Sequence, residues 1–183
     1  MWKKMHDPSL DEHFVSSEEV YHGRLLHVFR DKVTLVDGKE TTRELIRHPG
    51  AVAVVPILPD GRIVLVKQFR YPVDSVLYEL PAGKLDPGED PQHCAVRELS
   101  EETGFEAGML EYLTTIATTP GFADEAIHLY VAKDLRKHEQ HTDEGEFINL
   151  EYLTMETVRE MIIKGVIYDA KTIAALGFLA LRQ

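Results

Sequence analysis

The stretch that most constrains this chain is a pair of apolar runs, Ala51-Val52-Ala53-Val54-Val55-Pro56-Ile57-Leu58 and Ile63-Val64-Leu65-Val66, with Pro59-Asp60-Gly61 between them. Short runs rich in Val and Ile, lacking polar alternation and bounded by turn residues, read as strands buried on both faces. Pro fixes φ and Gly supplies a positive φ, so the intervening segment turns the chain. The pattern predicts a hairpin of buried strands in the main core.

Around it, Glu19 to Lys39 is extended, with apolar residues at Leu25, Leu26, Val28, Phe29, Val33, Leu35 and Val36 and a turn signal at Asp37-Gly38. Strands and a hairpin are expected there, ahead of the main core. Leu110 to Ala117, Ile127 to Ala132 and Phe147 to Leu153 are further β-rich runs. Helices are expected at Pro91 to Thr103, with Asp90 as N-cap, Pro91 at the first position and Gly104 closing the end, and at Met155 to Lys164 and Ala170 to Arg182, where apolar residues recur at helical spacing. The last two should pack on the sheet. Arg136 to Glu146 is polar throughout, too long for a simple turn, and reads as a functional loop.

At 183 residues, with 44% apolar and 28% charged residues, the chain has the composition of one globular domain with room for a small appendage. Its formal charge of −11 repels a phosphate backbone and no basic patch is segregated, which argues against nucleic acid as a partner. Met1 to Pro8 is charged rather than signal-like, and nowhere do about 18 apolar residues run together, so neither that secretion route nor a membrane span is expected. The single cysteine, Cys94, has no intrachain disulfide partner, which suits a reducing cytoplasm. The nine histidines show no H-x-x-x-H spacing and read as surface or packing residues.

The chemistry concentrates on the first helix. At 100° per residue, Glu98, Glu101 and Glu102 share one face, with Val96, Leu99 and Thr103 expected on the other. Like charges one turn apart repel, and a divalent cation would offset that repulsion. Oxygen ligands favour magnesium or manganese over zinc. The competing reading is a solvated acidic face. Gly83 and Gly88 allow tight backbone around Lys84 to Pro87, bringing Glu89 toward the helix, and Arg97 can orient a neighbouring carboxylate such as Glu89 or Glu101.

Gly83, five residues, Glu89, seven residues, then Arg97-Glu98-Leu99-Ser100-Glu101-Glu102-Thr103-Gly104-Phe105 resembles the Nudix box, with Phe105 where the family more often has an aliphatic residue. Pro120, sixteen residues after Gly104, within Thr118 to Glu125, is similar to the ADP-ribose pyrophosphatase branch. So are Arg43-Glu44-Leu45, His48 to Val52, Lys67-Gln68-Phe69-Arg70, Glu79-Leu80-Pro81-Ala82-Gly83 and Tyr168-Asp169-Ala170-Lys171-Thr172. The resemblance runs from about Gly23 to Leu181 and implies an α/β (α+β) fold: the Nudix α/β/α sandwich with a mixed sheet. An N-terminal antiparallel β extension would occupy residues 1–47, building a homodimer in relatives, with the hydrolase domain over 48–183.

The resemblance also implies magnesium-dependent hydrolysis of the ADP-ribose pyrophosphate to AMP and ribose 5-phosphate, with manganese as the substitute ion. By matching positions, the metal ligands would be Glu98, Glu102, the Ala82 carbonyl, Glu146 and, in some states, Glu101. Glu144 would be the general base, with Glu101 competing for that role. Arg43 and Arg70 would bind phosphate, and Glu79 would accept hydrogen bonds from adenine or ribose. Gly83, Glu89, Arg97 and Gly104 would be structural. No aromatic residue is assigned to stack on the base: Trp2 lies outside the matched region, and Tyr21 and Phe29 are not motif-defined. GDP-mannose, other nucleoside diphosphate sugars, NADH and FAD stay open as substrates, and a nucleotide-sugar-binding regulatory module is the non-enzymatic alternative.

Overall fold

The computed structural model describes residues 5–142, 145 and 147–182, which form two compact units. One is the chain up to Pro49 together with Ala117–Ala126; the other is Gly50–Ile116 and the chain from Ile127 onward.

The first unit is an antiparallel sheet of β1 (His13–His22), β2 (His27–Thr34) and β3 (Glu40–Ile46), in that order. Gly38, at φ +81°, closes the second hairpin, as its Asp-Gly pair predicts. Strand β1 starts earlier than the apolar pattern suggests and is exposed along all ten residues, which is why the pattern does not mark it. Leu25 and Leu26 fall in the β1–β2 turn rather than on a strand. The Thr119–Ala123 turn joins this unit through Ile46 N–H donating to Phe122 O (2.8 Å) and His48 N–H donating to Asp124 (2.7 Å).

The second unit contains β4 (Ala51–Pro56), β5 (Ile63–Arg70), β6 (Ser75–Glu79), β7 (Ala82–Lys84), α1 (Pro91–Thr103), β8 (Phe105–Ala117), β9 (Ala126–Lys137), β10 (Ile148–Leu153), α2 (Met155–Ile163) and α3 (Ala170–Leu181). Its mixed sheet runs β7-β4-β9-β8, with β4 parallel to β9 and antiparallel to β7; a second, antiparallel sheet runs β10-β5-β6.

The expected hairpin of buried strands is therefore corrected. The chain does turn, with Leu58 N–H donating to Arg62 O at 2.8 Å, but β4 and β5 share only the Ile57–Ile63 bridge before parting into different sheets. A strand has two hydrogen-bonding edges. Those of β4 are taken by β7 and β9, and those of β5 by β10 and β6, so each is the centre of its own sheet. Strand β4 is buried along its whole length and β5 over residues 63–66, because side chains pack against them as well as strands beside them.

Alternation along β4 divides the core. Ala51, Ala53 and Val55 pack with Leu129 and Val131 of β9, Val158 of α2 and Ala175 and Leu176 of α3. Val52 and Val54 pack with Cys94, Ala95 and Leu99 of α1 and with Tyr130. The mixed sheet thus has α1 on one face and α2 and α3 on the other, the layered arrangement expected. At ~1.5–3 kcal/mol per buried Val or Leu side chain, these faces hold α1 against the sheet.

Candidate active site

Helix α1 is positioned by its caps. Asp90 accepts from Gln92 N–H (2.9 Å), Pro91 occupies the first turn, and Gly104 closes the end at φ +67° with its N–H on Ser100 O. The acidic face points inward. On the helical projection, Glu98 and Glu102 fall between Cys94 and Leu99, inside the buried arc rather than opposite it. Glu102 is only 5% exposed and the Glu98 side chain 12%, which removes the solvated-face reading for both. Leu99 and Thr103 are buried as expected, whereas Val96 is exposed because it lies at the arc's edge.

Strand β7, opposite Ala53 and Val52 of β4, brings Ala82 and Gly83 to this face of α1. The Ala82 N–H donates to Glu102 Oε2 at 3.0 Å. Gly83 lies so close to Glu98 that a β-carbon would overlap its carboxylate. Here glycine acts through close approach rather than through φ: Gly83 is not among the positive-φ glycines, and a side chain there would make the Glu98 carboxylate move away.

Arg97 organises the remaining acids. Its Nε and Nη2 donate to the two oxygens of Glu89 at 3.0 Å each, while Nη1 donates to Glu98 (2.7 Å) and Glu101 (3.0 Å). Nη2 also donates to Lys84 O at 3.2 Å, tying the 84–89 loop to the helix. Hydrogen bonds from Arg97 hold the Glu89 carboxyl down at about 2, and the same pairing raises the guanidinium well above its ordinary value. The sequence suggested one carboxylate for Arg97; the structure gives it three.

Glu79, 1% exposed, forms a second charged cluster at the end of β6. Arg70 donates to it through Nε (2.7 Å) and Nη2 (2.9 Å), and the Lys171 ammonium donates to it as well. Burial pushes the Glu79 carboxyl up, but the Arg70 bonds and the Lys171 charge outweigh that, and the net shift is downward. Lys171 also reaches Asp169 (3.1 Å), which caps α3 by accepting from Thr172 N–H, while Thr172 Oγ1 accepts from Leu80 N–H (2.9 Å). These bonds fasten the start of α3 to the segment entering Ala82. Lys171, Asp169 and Thr172 had no assigned role in the sequence reading, although Asp-x-x-Thr ahead of an apolar helix is a capping signal.

The polar loop folds along the end of α1. His138 N–H donates to Gly104 O, Gln140 Nε2 to Glu102 O and His141 N–H to Glu101 O (2.6, 2.6 and 3.1 Å), satisfying carbonyls that a helix terminus leaves without intrahelical partners. Glu144 and Glu146, the expected base and ligand from this loop, lie outside the described residues. Arg43 belongs to the first unit, on β3, where Nε and Nη2 donate to Glu12 at 3.0 and 2.5 Å.

The donor chemistry fits a hard divalent cation. Glu98 and Glu102 lie on the buried side of α1 beside the segment of Ala82 and Gly83, both are largely withdrawn from water, and a glycine makes room for one of them. Oxygen-only ligation of this kind suits ions of the magnesium and manganese class.

The NUDIX domain family model matches residues 47–176. The chain is 46% identical over 175 residues to the methanol dehydrogenase activator of Bacillus methanolicus, covering 94% of this chain and 95% of that protein. It is 40% identical over 177 residues to the ADP-ribose pyrophosphatase of Bacillus subtilis, covering 96% of each. A crystal structure of an ADP compounds hydrolase superposes with a TM-score of 0.85 at 25% identity over 95% of both chains. With the carboxylate helix, its glycine-lined loop and a family match over most of its length, the chain belongs to the Nudix family.

Proposed function

We propose that this chain hydrolyses the pyrophosphate bond of ADP-ribose, in the presence of Mg2+, to AMP and ribose 5-phosphate. The observation that carries the reading is the joint placement of Glu98 against Gly83 and of Glu102 on the Ala82 N–H, with Arg97 holding Glu89, Glu98 and Glu101. Similarity to ADP-ribose pyrophosphatases supports the substrate.

Glu98, Glu102 and the Ala82 carbonyl would hold the metal, joined by Glu146. When bound, such an ion polarises diphosphate oxygens and lowers the pKa of a coordinated water. The reaction joins a water oxygen to one phosphorus and breaks that phosphorus's bond to the bridging oxygen. The water's proton passes to Glu144, with Glu101 as the competing base. Arg97 keeps Glu98 and Glu101 from spreading apart. Arg70 would meet the diphosphate. Because Arg70 already engages Glu79 through two nitrogens, Arg70, Glu79 and Lys171 act as a unit, in which Glu79 aims the guanidinium. The fully exposed β1, with Phe14, Val15, Val20 and Tyr21, supports association of two copies through the first unit, and the lone Cys94 thiol suits a cytoplasmic setting.

Purified protein incubated with ADP-ribose, GDP-mannose, NADH and FAD, with Mg2+ or Mn2+, tests the assignment. ADP-ribose should turn over fastest, and in 18O-labelled water one product phosphate should carry the label. Glu102→Gln should lower the rate by orders of magnitude with the fold retained; a near-normal rate would sink the metal assignment. If Glu144→Gln is harmless while Glu101→Gln is crippled, the base is Glu101. A second reading, action on a dehydrogenase, is favoured by the similarity to the methanol dehydrogenase activator. It predicts faster methanol dehydrogenase turnover when this protein is added.

A further inference from the structure

The β1–β2 hairpin closes through Gly23 to Leu26, with Gly23 N–H donating to Leu26 O (2.8 Å), and makes His22 and His27 cross-strand partners. Residues three apart on a regular strand point to opposite faces. The pairing register shifts between Glu19 and Tyr21, however, and such a bulge inserts one extra residue and re-aims the side chains beyond it. Glu19 and His22 are thereby brought onto the side that His27 occupies. The Glu19 Oε1 atom lies 2.9 Å from Nδ1 of His22 and 2.9 Å from Nδ1 of His27. The two rings meet edge to face, with centroids 4.3 Å apart at 85°. One ligand atom from each of the three residues falls within 4.8 Å of the others.

We infer that Glu19, His22 and His27 form a second metal site, for a borderline divalent transition ion of the zinc, cobalt or nickel class, bound by two imidazole nitrogens and one carboxylate oxygen. Imidazole selects these ions over magnesium, whereas the all-oxygen cluster on α1 has the opposite preference. Ligand bonds of ~2.0–2.2 Å place tetrahedral donors ~3.3 Å apart, so the two Glu19–histidine spacings of 2.9 Å open by only a few tenths of an ångström on binding, and the two histidine donors, within 4.8 Å, adjust by side-chain rotation. That movement is open to these side chains, which are 35% to 69% exposed, and the same exposure lets water complete the coordination. Ligation across the strand pair would fasten the closing end of the hairpin. The E-x-x-H-x-x-x-x-H spacing is overlooked by a search for i, i+4 histidines because two strands and a bulge, not a helix, bring the ligands together.

The test is calorimetric titration of the full chain with Zn2+ in excess Mg2+, which occupies the oxygen site, together with ring-nitrogen NMR of the histidines. The wild-type chain should take up one Zn2+ under these conditions, with His22 and His27 resonances shifting together and those of His128 staying in place. His22→Gln/His27→Gln should lose that equivalent while keeping its Mg2+-dependent turnover. Equal Zn2+ uptake by wild type and double variant overturns the site. So do unmoved His22 and His27 resonances in the wild type, a readout that needs no variant to fold.

Discussion

Replacing Gly83 with alanine separates the geometry of the site from the stability of the fold. Gly83 does not have a positive φ, so the backbone accepts alanine, but the new methyl overlaps the Glu98 carboxylate. Ordinary contact requires that carboxylate to withdraw by at least about 1 Å, a displacement large enough to cost ~10²-fold in rate when it misplaces a group in an active site. The stability effect is smaller. Overpacking costs ~1–3 kcal/mol, while losing a glycine from the unfolded chain returns ~0.4–1 kcal/mol. The net change of ~0–2.6 kcal/mol corresponds to a fall in Tm of up to ~10 °C. Gly88→Ala is the control. Gly88 sits at φ +79° with nothing near its β-position, so alanine there strains the loop backbone without touching a carboxylate. Initial rates on ADP-ribose across a Mg2+ series, with calorimetric Tm, should show Gly83→Ala losing rate far beyond its loss of stability, and Gly88→Ala the reverse. A Gly83→Ala enzyme within about threefold of wild type at saturating Mg2+ would refute the claim that Glu98 must sit against that backbone.

Lys171→Met should lower stability by ~3 kcal/mol, because it leaves buried Glu79 with Arg70 alone and breaks the tie to the Asp169 cap; calorimetry showing a loss below ~1 kcal/mol would contradict this. The Glu79 carboxyl is depressed in the fold, so the native state binds fewer protons than the unfolded chain. That stability is complete above the ordinary glutamate value of 4.5 and is lost as pH falls through the folded value. Removing Lys171 takes away one lowering influence, so the acid-unfolding midpoint followed by circular dichroism should move to higher pH in Lys171→Met; an unmoved midpoint would count against the coupling. Burial pushes the Cys94 thiol up to about 12, leaving a thiolate fraction of ~10⁻⁴ at pH 8. A chromogenic disulfide should therefore label the chain only after guanidinium is added, and rapid native labelling would show that α1 does not stay packed on β4.

What was legible in the sequence is what local chemistry determines. Asp90, Pro91 and Gly104 bound α1 where their capping preferences put it, and the helical spacing of apolar residues marks α2 and α3, whose caps Thr154 and Asp169 the structure adds. Box spacing was also legible as proximity, because Gly83, Glu89 and the α1 acids are brought together by one short loop and one helix. Pairing between strands was not. The apolar runs of β4 and β5 look alike and are joined by a turn, and nothing local says that other strands will occupy their edges. Strands β6 and β7 are five and three residues long, too short for a period to register. Lys171 and Glu79 are 92 residues apart in sequence, and their contact depends on α3 docking beside the end of β6. Bulges defeat pattern reading in another way: one inserted residue in β1 changes the face of every side chain after it, so Glu19 and His22 appear in sequence to point apart.

The same distinction explains why an overall charge of −11 misleads about the ligand. Counted along the chain, the acids argue for repulsion of any anion. Counted at the site, Glu89, Glu98, Glu101 and Glu102 gather around Arg97, which directly engages three of them, and the Arg70 charge also reaches Glu102, so among the described residues named here the acids outnumber the cations. Glu102 and Glu98 are too withdrawn for water to screen that excess well, and like charges held this close disfavour the folded arrangement. The backbone N–H of Ala82 and Arg97 offset part of that repulsion, and on the proposed assignment bound cations would offset the rest and reverse the sign that an incoming diphosphate meets. On that assignment, the acidity that argues against nucleic acid as a partner is what would equip this helix to accept a diphosphate by way of divalent ions.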